Sequence, residues 1–291
     1  MNISRIGVIG AGLMGNGIAH AALLVGFEVT LVDMFEAALP KALATMAKNM
    51  ERQVAKGTIT AEAKDAALGR LTTSTDYAAL GGAEVIIEAA PEREDIKQGI
   101  YKGLAPVIGA DTILASNTSS ISITRLGAMS GRPEKFIGMH FFNPVPMMKL
   151  VEIIRGIATD DATYATIHAL AGRLGKTVAS AEDFPGFIVN RILCPMLNEA
   201  IFALAEGVGT VAAIDSAMKL GASHPMGPLE LADFVGLDTV LSIMRVLHAE
   251  LGEDKYRPAP LLVKYVEAGW FGRKSGRGFY DYAVTPPKPT R

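Results

Sequence analysis

Short apolar runs alternate with longer segments of helical periodicity through roughly the first 180 residues of the chain. The apolar runs predict strands, whereas apolar residues spaced three and four apart in the intervening segments predict helices. Such alternation is typical of a mostly parallel sheet covered by helices on both faces. The predicted strands span Ile3–Ile9, Glu28–Val32, Glu84–Glu88, Thr112–Ala115, Phe136–His140, Leu150–Arg155 and Thr177–Ser180.

One connection in this pattern is too long for a simple crossover. About forty residues separate Asp33 from the next strand signal near Leu71. Their periodicity predicts two helices, Pro40–Lys56 and Ala61–Leu68, joined by a short glycine turn. We therefore expect a helical hairpin inserted at about residues 36–70.

The pattern changes near Glu182–Gly186, after which almost every periodic segment is helical. This change predicts a first domain over residues 1–184 and an all-α second domain over residues 185–291. The helices predicted in the second domain are Phe187–Glu206, Val211–Leu220, Gly227–Leu251 and Ala259–Ala268.

A glycine-rich turn, Gly10-Ala11-Gly12-Leu13-Met14-Gly15, lies between the first predicted strand and a helical segment. Its first glycine permits a tight turn, its second lets the backbone approach a pyrophosphate, and its third lets the helix pack against the strand. The helix N-terminus that follows favours an anion. Asp33 ends the second strand, where a carboxylate can accept hydrogen bonds from ribose hydroxyls. This order predicts an α/β, Rossmann-type dinucleotide-binding domain, and the alternative is a glycine turn that binds no ligand.

Composition and charge narrow the possible partners. The 291 residues carry a net charge of −2 and no basic tract, which argues against a nucleic-acid partner. A single cysteine, Cys194, excludes an intrachain disulfide and a cysteine-based zinc site, and we expect no metal. Ile6–Val32 is rich in apolar residues, but glycines and polar residues interrupt it. We expect a cytoplasmic protein that does not engage a membrane.

His140 is the histidine with the strongest case for chemistry. It ends the strand Phe136–His140, at the sheet edge where a dinucleotide would lie. Glu152 lies in the apolar run Leu150–Arg155, where a carboxylate is costly unless it is paired. On a neighbouring strand, Glu152 would fix one imidazole nitrogen and leave the other to take a proton. The alternative is that Glu152 lies on an exposed strand face and has no role.

Other polar positions could contact a substrate. Ser119 lies in a polar loop after a strand, and its hydroxyl could equally cap the next helix. Asn190 lies at the domain junction in an apolar helix start, where a buried amide bonds either substrate or backbone. Lys48, Arg52 and Lys56 recur every four residues and share a helix face, which either meets an acidic substrate or is simply solvated.

Six segments cover nearly the whole chain in order: GAGLMG with Asp33, LASNTSS (Leu114–Ser120), GMHFFNPVPMMKLVEII (Gly138–Ile154), DFPGFIVNRI (Asp183–Ile192), HPMGPLELADFVGLD (His224–Asp238) and GRKSGRGFYDY (Gly272–Tyr282). Together they closely resemble the 3-hydroxyacyl-CoA dehydrogenases, most of all the bacterial 3-hydroxybutyryl-CoA dehydrogenases. The glycine turn alone is unspecific, whereas the segments that contain His140 and Asn190 are highly specific.

The resemblance implies an NAD-dependent interconversion of (S)-3-hydroxyacyl-CoA, above all 3-hydroxybutyryl-CoA, and 3-oxoacyl-CoA. It makes His140 the general base and Glu152 its orienting partner, with Ser119 and Asn190 bonding the reacting oxygen and thioester region. It also implies a homodimer formed through the helical domain, and coenzyme A contact near Lys48, Arg52 and Lys56. The NAD contacts that the match implies are Gly10, Gly12, Leu13, Met14, Gly15, Asp33, Glu92, Lys97, Ser119, Asn143 and Lys274.

Two other functions stay open at this point. One is an NAD-dependent dehydrogenase of a free 3-hydroxy acid, a group that uses a lysine base in a motif not evident here. The other is a non-catalytic NAD-binding protein of the same fold, against which the intact set of Ser119, His140, Glu152 and Asn190 argues.

Overall fold

A computed structural model describes residues 3–291 of the chain and divides them into two compact units. The division lies between Phe184 and Pro185, where the strand–helix alternation of the sequence ends. The first unit contains an eight-stranded sheet with helices, and the second consists mainly of helices.

The sheet of the first unit contains every strand that the apolar runs predict. Its strands are β1 (Arg5–Ile9), β2 (Glu28–Val32), β3 (Leu71–Ser74), β4 (Val85–Glu88), β5 (Ile113–Ser116), β6 (Phe136–Phe141), β7 (Leu150–Arg155) and β8 (Thr177–Glu182).

The strands are ordered β3-β2-β1-β4-β5-β6-β7-β8 across the sheet. Each neighbouring pair is parallel apart from β6 and β7, which run antiparallel. The prediction of a mostly parallel sheet is therefore confirmed. The order of the strands reverses between β1 and β4, and this switch point is where open α/β sheets bind ligands beyond the carboxyl ends of the strands.

Helices connect the strands of the first unit as the periodicity predicts. They are α1 (Leu13–Leu24), α2 (Ala38–Ala55), α3 (Ala61–Leu68), α4 (Glu94–Leu104), α5 (Ile123–Ser130) and α6 (Asp161–Arg173). The residues of β4, β5 and β6 are all buried, because helices cover the sheet and leave continuous apolar runs as its central strands.

The long connection after β2 is a helical hairpin of α2 and α3. Helix α2 buries one stripe of apolar side chains, which runs from Leu39 through Met46 to Met50 and joins the core of the unit. The hydroxyl of Thr60 accepts a hydrogen bond from the amide of Ala63 at 3.1 Å, which caps α3 at its first turn.

The second unit packs its helices around a core of its own. They are α7 (Val189–Ala205), α8 (Val211–Gly221), α9 (Pro228–Val235), α10 (Leu237–Leu251) and α11 (Pro260–Glu267).

The prediction of a single helix over Gly227–Leu251 is wrong, because Gly236 separates α9 from α10. Gly236 has φ +103° and ψ 121°, a backbone conformation that glycine adopts without strain. The amide of Gly236 donates to the carbonyl of Ala232 and so makes the last hydrogen bond of α9. The carbonyl of Gly236 accepts from the amide of Val240, which is the first hydrogen bond of α10. The apolar periodicity continues across the break, so it gave no sign of the change in direction.

The last residues of the second unit form a loop and two short strands rather than helix. Strands β9 (Tyr280–Asp281) and β10 (Lys288–Pro289) pair antiparallel. Two buried carboxylates hold this segment. Asp233 accepts from the amides of Phe279 and Tyr280 and from the hydroxyl of Tyr282, and Asp215 accepts from the hydroxyl of Tyr280. The chain end is therefore part of the unit that it closes.

Two further observations bear on the sequence-based expectations. No helix among residues 3–291 is long and apolar enough to cross a membrane. Burial raises the pKa of the Cys194 thiol to about 12, which keeps it protonated and makes it a small buried side chain of the core.

Candidate active site

The carboxyl ends of five strands bring several predicted site residues of the first unit to one edge of the sheet. The glycine turn follows β1, Asp33 follows β2, and Glu92 follows β4. Ser119 follows β5, and His140 is the second-to-last residue of β6. This placement follows from the parallel order of the strands, because each strand ends at the same edge.

The three glycines of the turn differ in what surrounds them. Gly10 has φ +98°, and a Cβ atom there would lie 2.6 Å from the carbonyl oxygen of Ala89. A Cβ atom on Gly15 would lie 1.8 Å from the carbonyl oxygen of Gly10. A Cβ atom on Gly12, the N-cap of α1, would meet no atom within 4 Å. The first and third glycines are therefore needed for packing, whereas the second leaves open space at a helix N-terminus, as a pyrophosphate requires.

Asp33 is fixed beside this turn by two backbone amides. Its Oδ2 atom accepts from Ala11 at 2.7 Å and its Oδ1 atom accepts from Phe35 at 2.9 Å. A cavity of about 450 Å³ lies next to it, walled by the glycine turn and by apolar side chains. Leu13, Met34 and Phe35 line this cavity, and their apolar side chains are exposed to solvent. Side chains of this kind can pack against the flat adenine ring of a bound dinucleotide. The apolar walls of the cavity and the carboxylate of Asp33 fit the adenosine half of a dinucleotide.

His140 and Glu152 are direct partners across the antiparallel pair of β6 and β7. The Nδ1 atom of His140 lies 2.8 Å from Oε2 of Glu152, and Glu152 is fully buried. The ring of His140 also lies against Phe142, with 4.6 Å between ring centroids. A buried carboxylate at Nδ1 fixes the orientation and tautomer of the imidazole, so Nε2 is the nitrogen suited to proton transfer.

Glu92 holds the loop that carries Ser119. Its Oε1 atom accepts five hydrogen bonds of 2.6–3.3 Å from three successive loop residues, Thr118, Ser119 and Ser120. Desolvation opposes the ionisation of Glu92, but Lys97 and these donors outweigh it and keep the pKa of Glu92 below its usual value. The carboxylate therefore orders the loop as a charged acceptor.

A second carboxylate, Glu88, shares Lys97 with Glu92, and the sequence did not single it out. Lys97 is 1% exposed, and its Nζ atom donates to Glu88 at 2.6 Å and lies 3.6 Å from Glu92. The contact of Glu92 and Lys97 with NAD stays a prediction, whereas their contacts within the protein are observed. Glu88 is the last residue of an apolar strand, and Glu152 lies within another. A carboxylate in an apolar strand is costly to bury unless it is paired, and this signal could have revealed Glu88 from the sequence.

The loop between β6 and β7 contains Asn143, which is exposed and lies two residues after the end of β6. At that strand end, the amide of Phe141 donates to the side chain of Asn117 at 2.9 Å, which ties β6 to the loop of Ser119. The predicted NAD contact of Asn143 is untested by these contacts and stays a prediction.

The second unit contains two of the predicted site residues. Asn190 lies in the first turn of α7 and is half-buried, and Lys274 lies in the glycine loop, where its ammonium group pairs with Asp238. Their predicted roles toward substrate and NAD stay predictions.

Lys48 and Arg52 lie on the solvent-exposed face of α2, and Lys56 caps its C-terminus. The nearest polar contact of Arg52 is with Asn49, at 3.5 Å from its guanidinium. All three side chains therefore point to solvent, and the structure is compatible with both of the readings that the sequence left open.

Comparison with known families agrees with this geometry. Residues 5–184 match the model of the NAD binding domain of 3-hydroxyacyl-CoA dehydrogenase, and residues 186–282 match that of its C-terminal domain. The chain belongs to the 3-hydroxyacyl-CoA dehydrogenase family. Its first unit is the NAD-binding domain of that family, and NAD is the cofactor that the open glycine turn and Asp33 are built to hold.

Individual members of the 3-hydroxyacyl-CoA dehydrogenase family resemble the chain over nearly its whole length. A 3-hydroxybutyryl-CoA dehydrogenase of Bradyrhizobium diazoefficiens is 60% identical over 99% of both chains. A probable 3-hydroxybutyryl-CoA dehydrogenase of Bacillus subtilis is 51% identical over 97% of this chain and 98% of its own. The crystal structure of (S)-3-hydroxybutyryl-CoA dehydrogenase from Ralstonia eutropha is similar with a TM-score of 0.94, at 50% identity, and covers 97% of this chain and 100% of its own.

Proposed function

We propose that this dehydrogenase interconverts (S)-3-hydroxybutyryl-CoA and acetoacetyl-CoA with NAD as the oxidant. The observation that carries the proposal is the contact between His140 and Glu152, which lies at the cofactor edge of the sheet. The names of its similar relatives support the same substrate.

His140 acts as the general base in oxidation and as the general acid in reduction. Bound NAD supplies the hydride acceptor at its nicotinamide ring. As the hydride leaves C3 of the substrate, Nε2 of His140 takes the proton of the hydroxyl group, and the imidazole becomes an imidazolium. Glu152 stabilises that positive charge from the Nδ1 side. The reverse reaction begins with the imidazolium and returns the proton to the oxygen.

Ser119 and Asn190 hydrogen-bond the reacting oxygen and the thioester region in this proposal. The ordered loop of Ser119 supports the first role, since a fixed donor costs little reorganisation in the transition state. Glu92, Lys97, Asn143 and Lys274 are proposed to contact NAD, on the resemblance alone.

Coenzyme A carries several phosphate charges, and we assign its recognition to the exposed cations of α2, namely Lys48, Arg52 and Lys56. These residues lie far along the chain from the proton-transfer pair and serve binding rather than chemistry in this proposal.

We also propose that the protein forms a homodimer and is located in the cytoplasm. The second unit exposes large apolar side chains, including Ile192 at 67% and Leu220 at 86%, which a second copy of the chain would cover. Sedimentation velocity tests this assignment, because a monomer at all concentrations would contradict it.

The functional proposal is tested by following the absorbance of the reduced nicotinamide with acetoacetyl-CoA as substrate. We expect turnover with NADH and much less with NADPH, because a 2′-phosphate beside the carboxylate of Asp33 costs about 1–4 kcal/mol. Free acetoacetate serves as the second substrate. Preferential turnover of the free acid, or tight NADH binding with no turnover of either substrate, would contradict the proposal.

A further inference from the structure

Glu88 is a buried carboxylate near the cofactor edge of the sheet that accepts four hydrogen bonds. It ends β4 and is 2% exposed. Its Oε1 atom accepts from the amide of Ala90 at 2.7 Å and from Lys97 at 2.6 Å. Its Oε2 atom accepts from Ser116 at 2.8 Å and from Tyr101 at 3.1 Å. A carboxylate that accepts from this many donors is held rigidly, and it fixes the position of the groups that donate to it.

One route leads from Glu88 to Ser119 through charges. The ammonium group of Lys97 lies between two carboxylates, 2.6 Å from Glu88 and 3.6 Å from Glu92. Glu92 in turn accepts from the amide and the hydroxyl of Ser119, at 2.8 and 3.3 Å. Because one ammonium serves both carboxylates, the charge of Glu88 sets how strongly Lys97 attracts Glu92 away from the loop.

A second route leads from Glu88 to the same loop through hydroxyl groups. The hydroxyl of Ser116 donates to Glu88 at 2.8 Å and accepts from the amide of Thr118 at 3.2 Å. Thr118 precedes Ser119 directly. Glu88 therefore contacts the loop through Ser116, whereas Glu92 accepts from the loop directly, and both contacts bear on the position of Ser119.

We propose that Glu88 is a positioning residue of the reaction, which acts on Ser119 through Lys97 and Glu92 and through Ser116. The proposal rests on the proposed role of Ser119 in bonding the reacting oxygen. Glu88→Gln keeps the size of the side chain but removes the charge that shares Lys97. Lys97 then pairs more closely with Glu92. The carboxylate of Glu92, which accepts from the Ser119 loop, shifts toward Lys97 as a result.

A double-mutant cycle on kcat distinguishes this role from a merely structural one. We expect Glu88→Gln to lower kcat about tenfold when Ser119 is present and less than about twofold in a Ser119→Ala background. The shift in melting temperature should be the same in both backgrounds, because the stabilising contacts of Glu88 do not depend on the Ser119 hydroxyl reaching substrate.

Glu84→Gln is the matched control, since it makes the same substitution just before the amino end of β4. Glu84 accepts from the amides of Ser4 and Arg5, at the opposite edge of the sheet. We expect it to change kcat by the same small factor in both backgrounds. Should Glu88→Gln fail to fold, Ser116→Ala breaks the second route alone and is taken through the same cycle.

Equal kcat losses from Glu88→Gln in both Ser119 backgrounds would overturn the proposal, because they would show a general destabilisation. Ser119→Ala with unchanged kcat beside a lowered kcat in Glu88→Gln would also overturn it, and would assign the fault to the role of Ser119. A complete absence of turnover in the unmodified protein would instead refute the proposed function.

Discussion

At the scale of single residues, the chemistry depends on carboxylates that are buried and paired. Glu152 is fully buried, and it pairs with His140 at 2.8 Å. A carboxylate in an apolar strand pointed to such a pair from the sequence alone, because an unpaired one is too costly to bury. The same reasoning applied to Glu88 would have found it, but its partners come from α4 and β5, and no spacing along the chain indicates those contacts.

We expect His140→Ala to retain the fold and NADH binding but to lose about 10²–10⁴ in kcat, the usual effect of removing an acid–base group. Glu152→Gln keeps an oxygen that can accept from Nδ1 but removes the charge that stabilises the imidazolium, so its loss should be smaller yet clear. Steady-state kinetics of both variants, with circular dichroism as the check on folding, measures these losses.

The double variant of His140 and Glu152 tests whether they act as a pair. Since Glu152 acts through His140, the double variant should have a kcat no lower than that of His140→Ala alone. A kcat equal to the product of the two single losses would mean that the residues act independently.

At the scale of elements, the sequence predicted strands and helices well because their apolar periods are long and distinct. It failed at Gly236, where one predicted helix is two. A single glycine with a positive φ changes the direction of the chain without interrupting the apolar period, so the periodicity could not show the break. The glycine turn before α1 was predictable because its glycines stand at fixed spacing between a strand and a helix.

The glycine turn supplies a matched pair of substitutions. Gly12→Ala adds a Cβ atom in open space, so we expect unchanged folding stability but an NADH Kd raised about tenfold or more. Gly15→Ala places the same atom 1.8 Å from the carbonyl oxygen of Gly10, so it should destabilise the fold by more than about 3 kcal/mol. Thermal melts and NADH titrations measure the two effects, and equal melting temperatures for the two variants would disprove this assignment.

The exposed face of α2 should contribute to binding rather than to chemistry. Arg52→Ala and Lys56→Ala are expected to raise the KM for acetoacetyl-CoA severalfold with little change in kcat. The increase should shrink as salt is added, because exposed charges are screened over about 10 Å at 0.1 M ionic strength. Lys102→Ala, an exposed lysine of α4, is the control. If neither variant differs from that control, the face is only solvated.

At the scale of the whole molecule, the sequence placed a boundary where the alternation of strands and helices ends, and the structure divides the chain between Phe184 and Pro185. It could not predict how the second unit is closed. The buried carboxylates Asp215 and Asp233 bind the chain end across about fifty residues or more, and contacts of that separation leave no periodic signal.

The stability of the protein should depend on pH through Asp233. Burial, reinforced by the carboxylate of Asp215, raises the pKa of Asp233 to about 6, although amide and hydroxyl donors oppose the shift. The unfolded carboxyl titrates near 4. The folded state therefore binds the proton of Asp233 more tightly than the unfolded state does. The contribution of this proton to the free energy of unfolding is full below about pH 4 and is lost as pH rises through about 6.

Asp233→Asn removes that titration. We expect the unfolding free energy of the wild type, relative to that of Asp233→Asn, to fall by roughly 1–3 kcal/mol between about pH 4 and pH 7. Urea unfolding of both proteins at several pH values measures the difference. A difference that is constant across this range would contradict the assignment.

The closure of the second unit by its final residues also sets an order for biosynthesis. The sheet of the first unit is complete at Glu182, so it can form while the rest of the chain is still being made. Asp215 and Asp233 leave the ribosome well before Tyr280 and Tyr282, which supply their hydroxyl donors. A chain released early therefore lacks the donors of Phe279, Tyr280 and Tyr282 to Asp233, whereas Asp215 keeps only its amide donors in α9. Quality-control proteases would then meet an unfinished second unit beside a finished first one.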